Sequence, residues 1–263
     1  MTKKSFWKIS SVLAIFSLAF ALVFTSCGDD NGGPAAAMGD SPTMSGRVYT
    51  GGLDWEAMPN IRVRFDRYEG SATLRSWPSG VATGNITNGQ LSVNLSVPAS
   101  TSPVSSLIND MDGAFTNVSV TPAAARFAWL DLGTTDDRWL SRGNASASGT
   151  MTSFNGNWED VGFIFVDQDV TISATGINED GFRSDSFTIN LRRGWNAVRT
   201  REELSNFNFM TDTGNIRIRV DLSNSGRWML EDDDDWGFSA ELSEVEQALR
   251  DRAAARSRAR ARQ

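Results

Sequence analysis

Carboxylates are the side chains of this chain whose type and spacing could support acid–base chemistry. The sequence contains no histidine, which excludes Ser/His and Cys/His nucleophile systems. The segment "VDQDV" places Asp167 and Asp169 on one side of a strand, roughly 7 Å apart, a separation that overlaps the carboxylate spacing of glycoside hydrolysis. Because Asp167 ends one apolar stretch and Asp169 begins another, a turn between two strands also explains the pair. We expect this structural role rather than a carboxylate-dependent glycoside hydrolase, and no enzymatic activity.

Acidic clusters are the remaining candidates for a metal site, because imidazole is absent and Cys27 is the only cysteine. The run "EDDDDW", residues 231–236, offers oxygen ligands of the kind that Ca²⁺ prefers, and "NEDG", residues 178–181, is a second oxygen donor. The longer run lacks the spaced Asp and Gly pattern of an EF-hand loop, and like-charge runs usually form solvated connectors. We therefore predict no metal ion, no cofactor and no internal disulfide.

Tryptophan is frequent in this chain, with nine residues in 263, and exposed tryptophans can stack on sugar rings or anchor protein interfaces. Trp129 and Trp228 lie in apolar strand contexts, so we predict that they belong to the core. Trp55, Trp77 and Trp158 lie beside Gly, Pro or acidic residues, which predicts exposure on loops. These three are the candidate ligand-binding aromatics, and core filling is the alternative.

The N-terminus has the pattern of a secretory signal peptide. "MTKKSFWK" supplies a cationic region, and the apolar stretch that follows, Val12–Phe24, has 13 residues. A membrane-spanning helix needs roughly 20 apolar residues, so this stretch has the length of a signal-peptide core instead.

Phe24-Thr25-Ser26-Cys27 resembles the lipobox of bacterial lipoproteins, in the relaxed form that spirochaete lipoproteins carry. Thr25, Ser26 and Cys27 match the motif, whereas Phe24 stands where leucine is usual. The resemblance covers the first 27 residues only. It implies removal of residues 1–26, acylation of Cys27 and anchoring in the lipid bilayer of a cell envelope, facing the periplasm or the exterior, with the outer membrane favoured. An uncleaved anchor helix and an ordinary leader are the alternatives.

The charge distribution argues against nucleic acid as a partner. Net charge is −7, and the three lysines all lie in the first eight residues. Removal of the leader leaves 22 arginines against 32 acidic residues, which gives −10. Phosphate neutralisation requires clustered cations, and a net-acidic body does not provide them.

The body of the chain shows the period-two pattern of half-buried antiparallel strands. "NIRVRFDRY", "QLSVNLSV" and "NIRIRVDL" alternate apolar and polar residues, whereas "VGFIFV" is apolar on both sides and predicts a central strand. Asn88-Gly89 and Asp180-Gly181 precede strands as tight turns do. We predict an all-β fold, an antiparallel β-sandwich, followed by a short C-terminal helix that carries a capping box.

The order of short strand motifs suggests an internal duplication. After a lipidated cysteine and flexible tether at residues 27–44, residues 45–142 form one predicted sandwich module and residues 148–230 a second, similar one. A single larger sandwich is the alternative. Residues 231–263 are predicted to form an acidic connector and an Arg-rich helix or tail.

Together these features predict a lipid-anchored β-protein of a cell envelope that acts by binding or as surface structure. The second hypothesis is a carbohydrate-binding module that uses exposed tryptophans. The sequence does not identify the ligand, which could be a glycan or a protein.

Overall fold

The structure is a computed structural model that describes residues 37–54, 60–104, 106, 115–179, 182–208, 211 and 213–231. The described residues form β-strands almost throughout, which confirms the all-β prediction. In chain order the strands β1 to β19 are Ala37–Gly39, Thr43–Asp54, Ile61–Arg67, Ala72–Trp77, Ala82–Thr87, Gln90–Leu95, Ser102–Pro103, Phe115–Thr121, Arg126–Trp129, Asp131–Thr134, Trp139–Thr150, Ser153–Val166, Val170–Gly176, Asn178–Glu179, Phe182–Ser184, Phe187–Leu191, Gly194–Asn208, Thr213–Leu222 and Arg227–Glu231.

Two sheets build the fold. A 16-stranded sheet has twelve strands in the order β10-β4-β5-β6-β2-β19-β11-β12-β17-β18-β15-β14, and β1, β3, β7 and β9 pair off this path. An extra β10–β11 pairing joins the first strand of this order to the seventh. A three-stranded sheet, β16-β13-β8, forms the second layer. Pairing is antiparallel except for β15 with β18 and β19 with β2, so the prediction of antiparallel sheets is confirmed, and their two layers are compatible with the predicted sandwich.

The central strand β12 is apolar on both faces because it separates two cores. Val161, Phe163 and Phe165 belong to the first core, enclosed where the large sheet bends back to pair with itself. The alternate residues Ile164 and Val166 belong to the second core, which the three-stranded sheet covers. Adjacent strand residues point to opposite faces, so the prediction from "VGFIFV" is confirmed.

The first core draws on both predicted modules. It contains Val48 and Leu91 from residues 45–142 together with Trp195 and Trp228 from residues 148–230. Strand β19 also pairs with β2, placing Trp228 opposite Val48. Residues 45–142 and 148–230 are therefore not separate packing units, and a repeat relation between them stays a prediction.

Sequence periodicity predicted the local strand structure well. Strand β6 alternates exposed and buried residues along its whole length, and Asn88-Gly89 forms the turn before it with φ of 50° and 71°. The turn requires Gly89, since a Cβ there would lie 1.8 Å from a backbone carbonyl oxygen. Val97, expected on the buried face, is 51% exposed because the strand ends at Leu95.

The tether prediction does not hold for residues 37–44. Ala37–Gly39 forms β1, which pairs with β17, and Met44 is fully buried in the first core. Apolar side chains within this Gly- and Pro-rich stretch supply the packing that a flexible linker lacks. The signal peptide, Cys27, Asp180-Gly181 and the C-terminal helix lie outside the described residues.

Candidate functional site

An exposed aromatic surface lies where β4, β10 and β11 meet. We call it the Trp77 surface and define it by Arg75, Trp77, Asp131, Gly133 and Trp139. Strand register places Asp131 opposite Trp77, Gly133 opposite Arg75, and Trp139 on the other side of Gly133. Directly opposed residues share one face of a sheet, so these five residues form a continuous outer patch.

The local sequence explains why this patch faces outward. In β4, Leu74 and Ser76 are buried while Trp77 is exposed and Arg75 partly so, following the period of two. In β10, Leu132 and Thr134 point into the protein, which leaves Asp131 and Gly133 on the outer face.

The indole of Trp77 is held in place and yet remains accessible. Its ring centroid lies 5.3 Å from that of Trp139, with the two planes at 36°, and the guanidinium carbon of Arg75 lies 4.5 Å from its centroid. Gly133 makes the close approach possible, because a Cβ there would lie 3.2 Å from the Trp77 ring. Trp77 is 37% exposed, so part of an immobilised indole faces solvent.

Two buried polar atoms border this indole without a hydrogen-bond partner among the described residues. They are Oδ1 of Asp131, an acceptor, and Nε of Arg75, a donor. Burial raises the pKa of Asp131 from 3.8 to about 7. Buried polar groups are nearly always hydrogen-bonded, so this covered acceptor and covered donor form an unusual polar environment beside the exposed Trp77.

The β10–β11 hairpin fixes the cationic side of the patch. Arg75 pairs with Asp137 at 2.5 Å, and Asp137 adopts a left-handed conformation with φ of 66° in this hairpin. Arg138 binds Asp136 at 2.6 Å and donates to the Tyr68 hydroxyl at 3.1 Å. The Thr134 hydroxyl and Arg138 hold the pKa of Asp136 below its ordinary value, so this carboxylate stays ionised.

The three predicted ligand-binding tryptophans have different outcomes. Trp77 is exposed, but it is the last residue of strand β4 and not part of a loop; its role in ligand binding stays a prediction. The prediction for Trp158 is wrong: it is 9% exposed and stacks on Phe154 with centroids 5.9 Å apart. Its ring lies over Gly156, where a Cβ would be 2.1 Å from the indole. Trp55 lies outside the described residues.

The tryptophans predicted in the core lie there to different extents. Trp228 is 2% exposed and belongs to the first core, as predicted. Trp129 is partly buried and packs against the second core. Trp195 also belongs to the first core, where it is fully buried and donates to the Ser96 carbonyl at 3.2 Å.

Asp167 and Asp169 lie in the turn between β12 and β13 and both accept hydrogen bonds from neighbouring segments. Asp167 Oδ1 accepts from the Arg126 backbone N–H at 2.9 Å, and Asp169 accepts from the N–H of Arg193 at 2.9 Å and from Arg192 at 2.7 Å. The hydrogen bond from Arg193, followed by that from Arg192, lowers the pKa of Asp169. A catalytic general acid needs the opposite shift.

Metal-binding clusters and membrane-spanning helices are two other features considered for the described ranges of the chain. No cluster of three or more His, Cys, Asp or Glu residues there could hold a metal ion. No described helix has the length and apolarity needed to cross a membrane. The "EDDDDW" run, apart from Glu231, lies outside these ranges.

Comparison with known proteins gave no match: no family model, no curated protein and no solved structure is similar to this chain. The case for a function therefore depends on the chain's own residues.

Sequence reasoning missed Trp139, Asp131 and Arg75 as members of the patch. The spacing of Arg75 and Trp77 indicates a shared strand face, but the pairing of β4 with β10 joins segments more than fifty residues apart. No local pattern predicts that pairing.

Proposed function

We propose that this chain is a lipid-anchored binding protein of a bacterial cell envelope and that the Trp77 surface binds a glycan. The observation that carries the binding proposal is an exposed, immobilised Trp77 beside an unpaired buried acceptor on Asp131 and an unpaired buried donor on Arg75.

A sugar combines an apolar face with hydrogen-bonding groups, and both suit the Trp77 surface. The C–H face of a pyranose packs on an indole, and its hydroxyl groups both donate and accept hydrogen bonds. Asp131 Oδ1 and Arg75 Nε are covered in the free protein, so glycan binding requires their side chains to turn outward; one sugar hydroxyl would then donate to Asp131 Oδ1 while its neighbour accepts from Arg75 Nε. A purely apolar ligand would leave them unpaired, at a cost of about 1–3 kcal/mol each.

The anchor proposal is supported by the sequence. The resemblance of Phe24-Thr25-Ser26-Cys27 to a lipobox implies an acylated Cys27, and the first strand of the described fold begins at Ala37. A folded body tethered so close to the membrane would bind ligands of the same envelope or of its immediate surroundings.

The glycan proposal is tested by calorimetric titration of the protein without its leader. Chitohexaose and cellohexaose are the first probes, followed by a glycan array. We expect at least one neutral glycan to bind, and Trp77→Ala to weaken it by about thirtyfold or more, the effect of losing a binding hot spot of about 2 kcal/mol. Val97→Ala is the matched control, since Val97 is the other large exposed apolar residue of the described chain, at 51%. Binding that Trp77→Ala leaves unchanged, or no hit on the array, would refute the proposal.

A further inference from the structure

A second polar site lies on a different part of the large sheet. A groove of about 750 Å³ crosses β11, β12, β17, β18 and β15. Its volume is within the range of about 300–1,000 Å³ typical of ligand sites. We call it the polar groove, and it shares no residue with the Trp77 surface.

One row of side chains runs across the floor of the polar groove. Register places Ser146 opposite Asn157, Asn157 opposite Glu203, Glu203 opposite Arg217, and Arg217 opposite Arg183. Neighbouring strands lie about 4.8 Å apart, so the row is about 19 Å long. The strand spacing is close to the length of one sugar unit, which gives the row room for about four units.

The polar groove carries a positive charge at the Arg183 end. Arg217 and Arg183 both bind Asp185, at 2.5 and 2.9 Å, so two guanidinium groups share one carboxylate. Their side chains remain 41% and 57% exposed. Glu203, in the middle of the row, is compensated by an ion pair with Arg219. An exposed arginine pair that shares one carboxylate among the described residues is suited to bidentate binding of a further carboxylate.

The rest of the row offers neutral hydrogen-bonding groups. Asn157 Oδ1 is buried and has no hydrogen-bond partner among the described residues. Asn215 and Ser146 add amide and hydroxyl groups to the groove lining. Leu204 and Ile216 reach the groove from the third apolar cluster, so the lining combines hydroxyl and amide partners with apolar surface.

We infer that the polar groove binds an acidic oligosaccharide of about four units, with a terminal uronic-acid carboxylate on Arg183 and Arg217 and sugar hydroxyls along the Asn157 row. The inference does not rest on the glycan site at Trp77, because neither the residues nor the charge of the ligand is the same.

The test uses tetrasaccharides of glucose that end in one glucuronic acid, in β-1,4, β-1,3 and α-1,4 linkage, each beside its all-glucose counterpart. Calorimetry on the protein without its leader should show at least one acidic member binding about tenfold or more tightly than its neutral counterpart. This preference should shrink when salt rises from about 50 mM to about 500 mM.

Arg183→Gln and Arg217→Gln should each remove most of the preference for the acidic sugar. Each single variant leaves Asp185 one arginine partner, so the fold is retained. Arg47→Gln is the control, because Arg47 is a comparably exposed arginine, 38%, that pairs with Glu69 elsewhere. Trp77→Ala should leave this binding unchanged, which separates the result from the Trp77 proposal. Any of four results would overturn the inference. They are equal affinity for the acidic and the neutral tetrasaccharides, no binding of either at about 10 mM, equally tight binding of tetra-aspartate, and an unchanged preference for the acidic sugar in Arg217→Gln.

Discussion

Replacing Asp131 by asparagine should make the protein more stable at neutral and alkaline pH. The carboxyl group lies partly buried opposite Trp77, its Oδ1 has no hydrogen-bond partner among the described residues, and burial raises its pKa from 3.8 to about 7. The unfolded chain therefore loses this proton first as the pH rises. The contribution of the Asp131 carboxyl group to the free energy of unfolding is therefore fully present below pH 3.8 and is lost as the pH rises through about 7.

The expected magnitude follows from the size of this shift. Each pKa unit corresponds to about 1.4 kcal/mol, so a shift of about three units is worth about 4 kcal/mol over the whole range. Between pH 5 and pH 8 the change in the free energy of unfolding is about 2–3 kcal/mol, and partial solvent access reduces it to about 1–2. Asparagine does not titrate, so Asp131→Asn should remove this portion of the pH dependence.

Urea unfolding at about pH 5 and about pH 8 measures the effect directly. Glu202 has a pKa raised to about 7 by burial, so the original protein should lose stability over the same range from two groups. The difference in pH dependence between Asp131→Asn and the original protein gives the contribution of Asp131 alone. Asp66→Asn is the control, since Asp66 has a 60% exposed side chain paired with Arg64. Identical pH dependence of the Asp131→Asn variant and the original protein would refute the reasoning.

Further predictions concern packing, ion pairing, backbone conformation and the anchor. Trp158→Ala should lower the free energy of unfolding by about 3–5 kcal/mol, measured by urea unfolding; a loss below about 1 kcal/mol would contradict the burial of this ring. Glu159 is 11% exposed and pairs with two arginines, so Glu159→Ala should lower the free energy of unfolding by about 3 kcal/mol. Glu69 is 69% exposed, so the control Glu69→Ala should lower it by less than about 0.5 kcal/mol. Equal effects of the two substitutions would contradict the difference in burial. Gly89→Ala should lower the free energy of unfolding by about 1–3 kcal/mol, because Gly89 has a positive φ and lies close to a backbone carbonyl oxygen. An unchanged melting temperature would contradict this account of the turn. Labelled palmitate should enter the protein during growth and be absent from Cys27→Ser; equal labelling of that variant would defeat the anchor assignment.

The strands could be predicted from the sequence because their signal is local. Alternation in "QLSVNL" and the doubly apolar "VGFIFV" each depend on residues within one strand, and both predictions are confirmed. The sheet order could not be predicted, because parallel pairing of Trp228 with Val48 joins segments 180 residues apart. Pairing over such a separation is decided by the sum of core packing, which no short pattern contains.

Trp158 shows how local context can mislead. Its neighbours Asn157 and Glu159 are polar, which suggested an exposed loop, but they lie on the opposite face of the same strand. The informative spacing was Phe154, Gly156 and Trp158 at alternate positions, which places an indole over a glycine. For Trp77 the same kind of context gave the right answer, because the outer face of β4 is covered by neighbouring side chains only in part.

Strand β12 and its neighbour β17 explain how one sheet holds both a core and a polar groove. On one face of β12, Val161, Phe163 and Phe165 are buried in the first core, while Asn157 further toward the N-terminus lines the polar groove. The same face therefore changes from apolar to polar along a single 14-residue strand. The apolar half fixes the register of β12 against β17, since a slip of one residue would move the phenylalanines from the first core to the second and disturb the packing of both. That register places Asn157 beside Glu203 and, through β18, beside Arg217, so core packing positions the residues that we propose bind an acidic sugar.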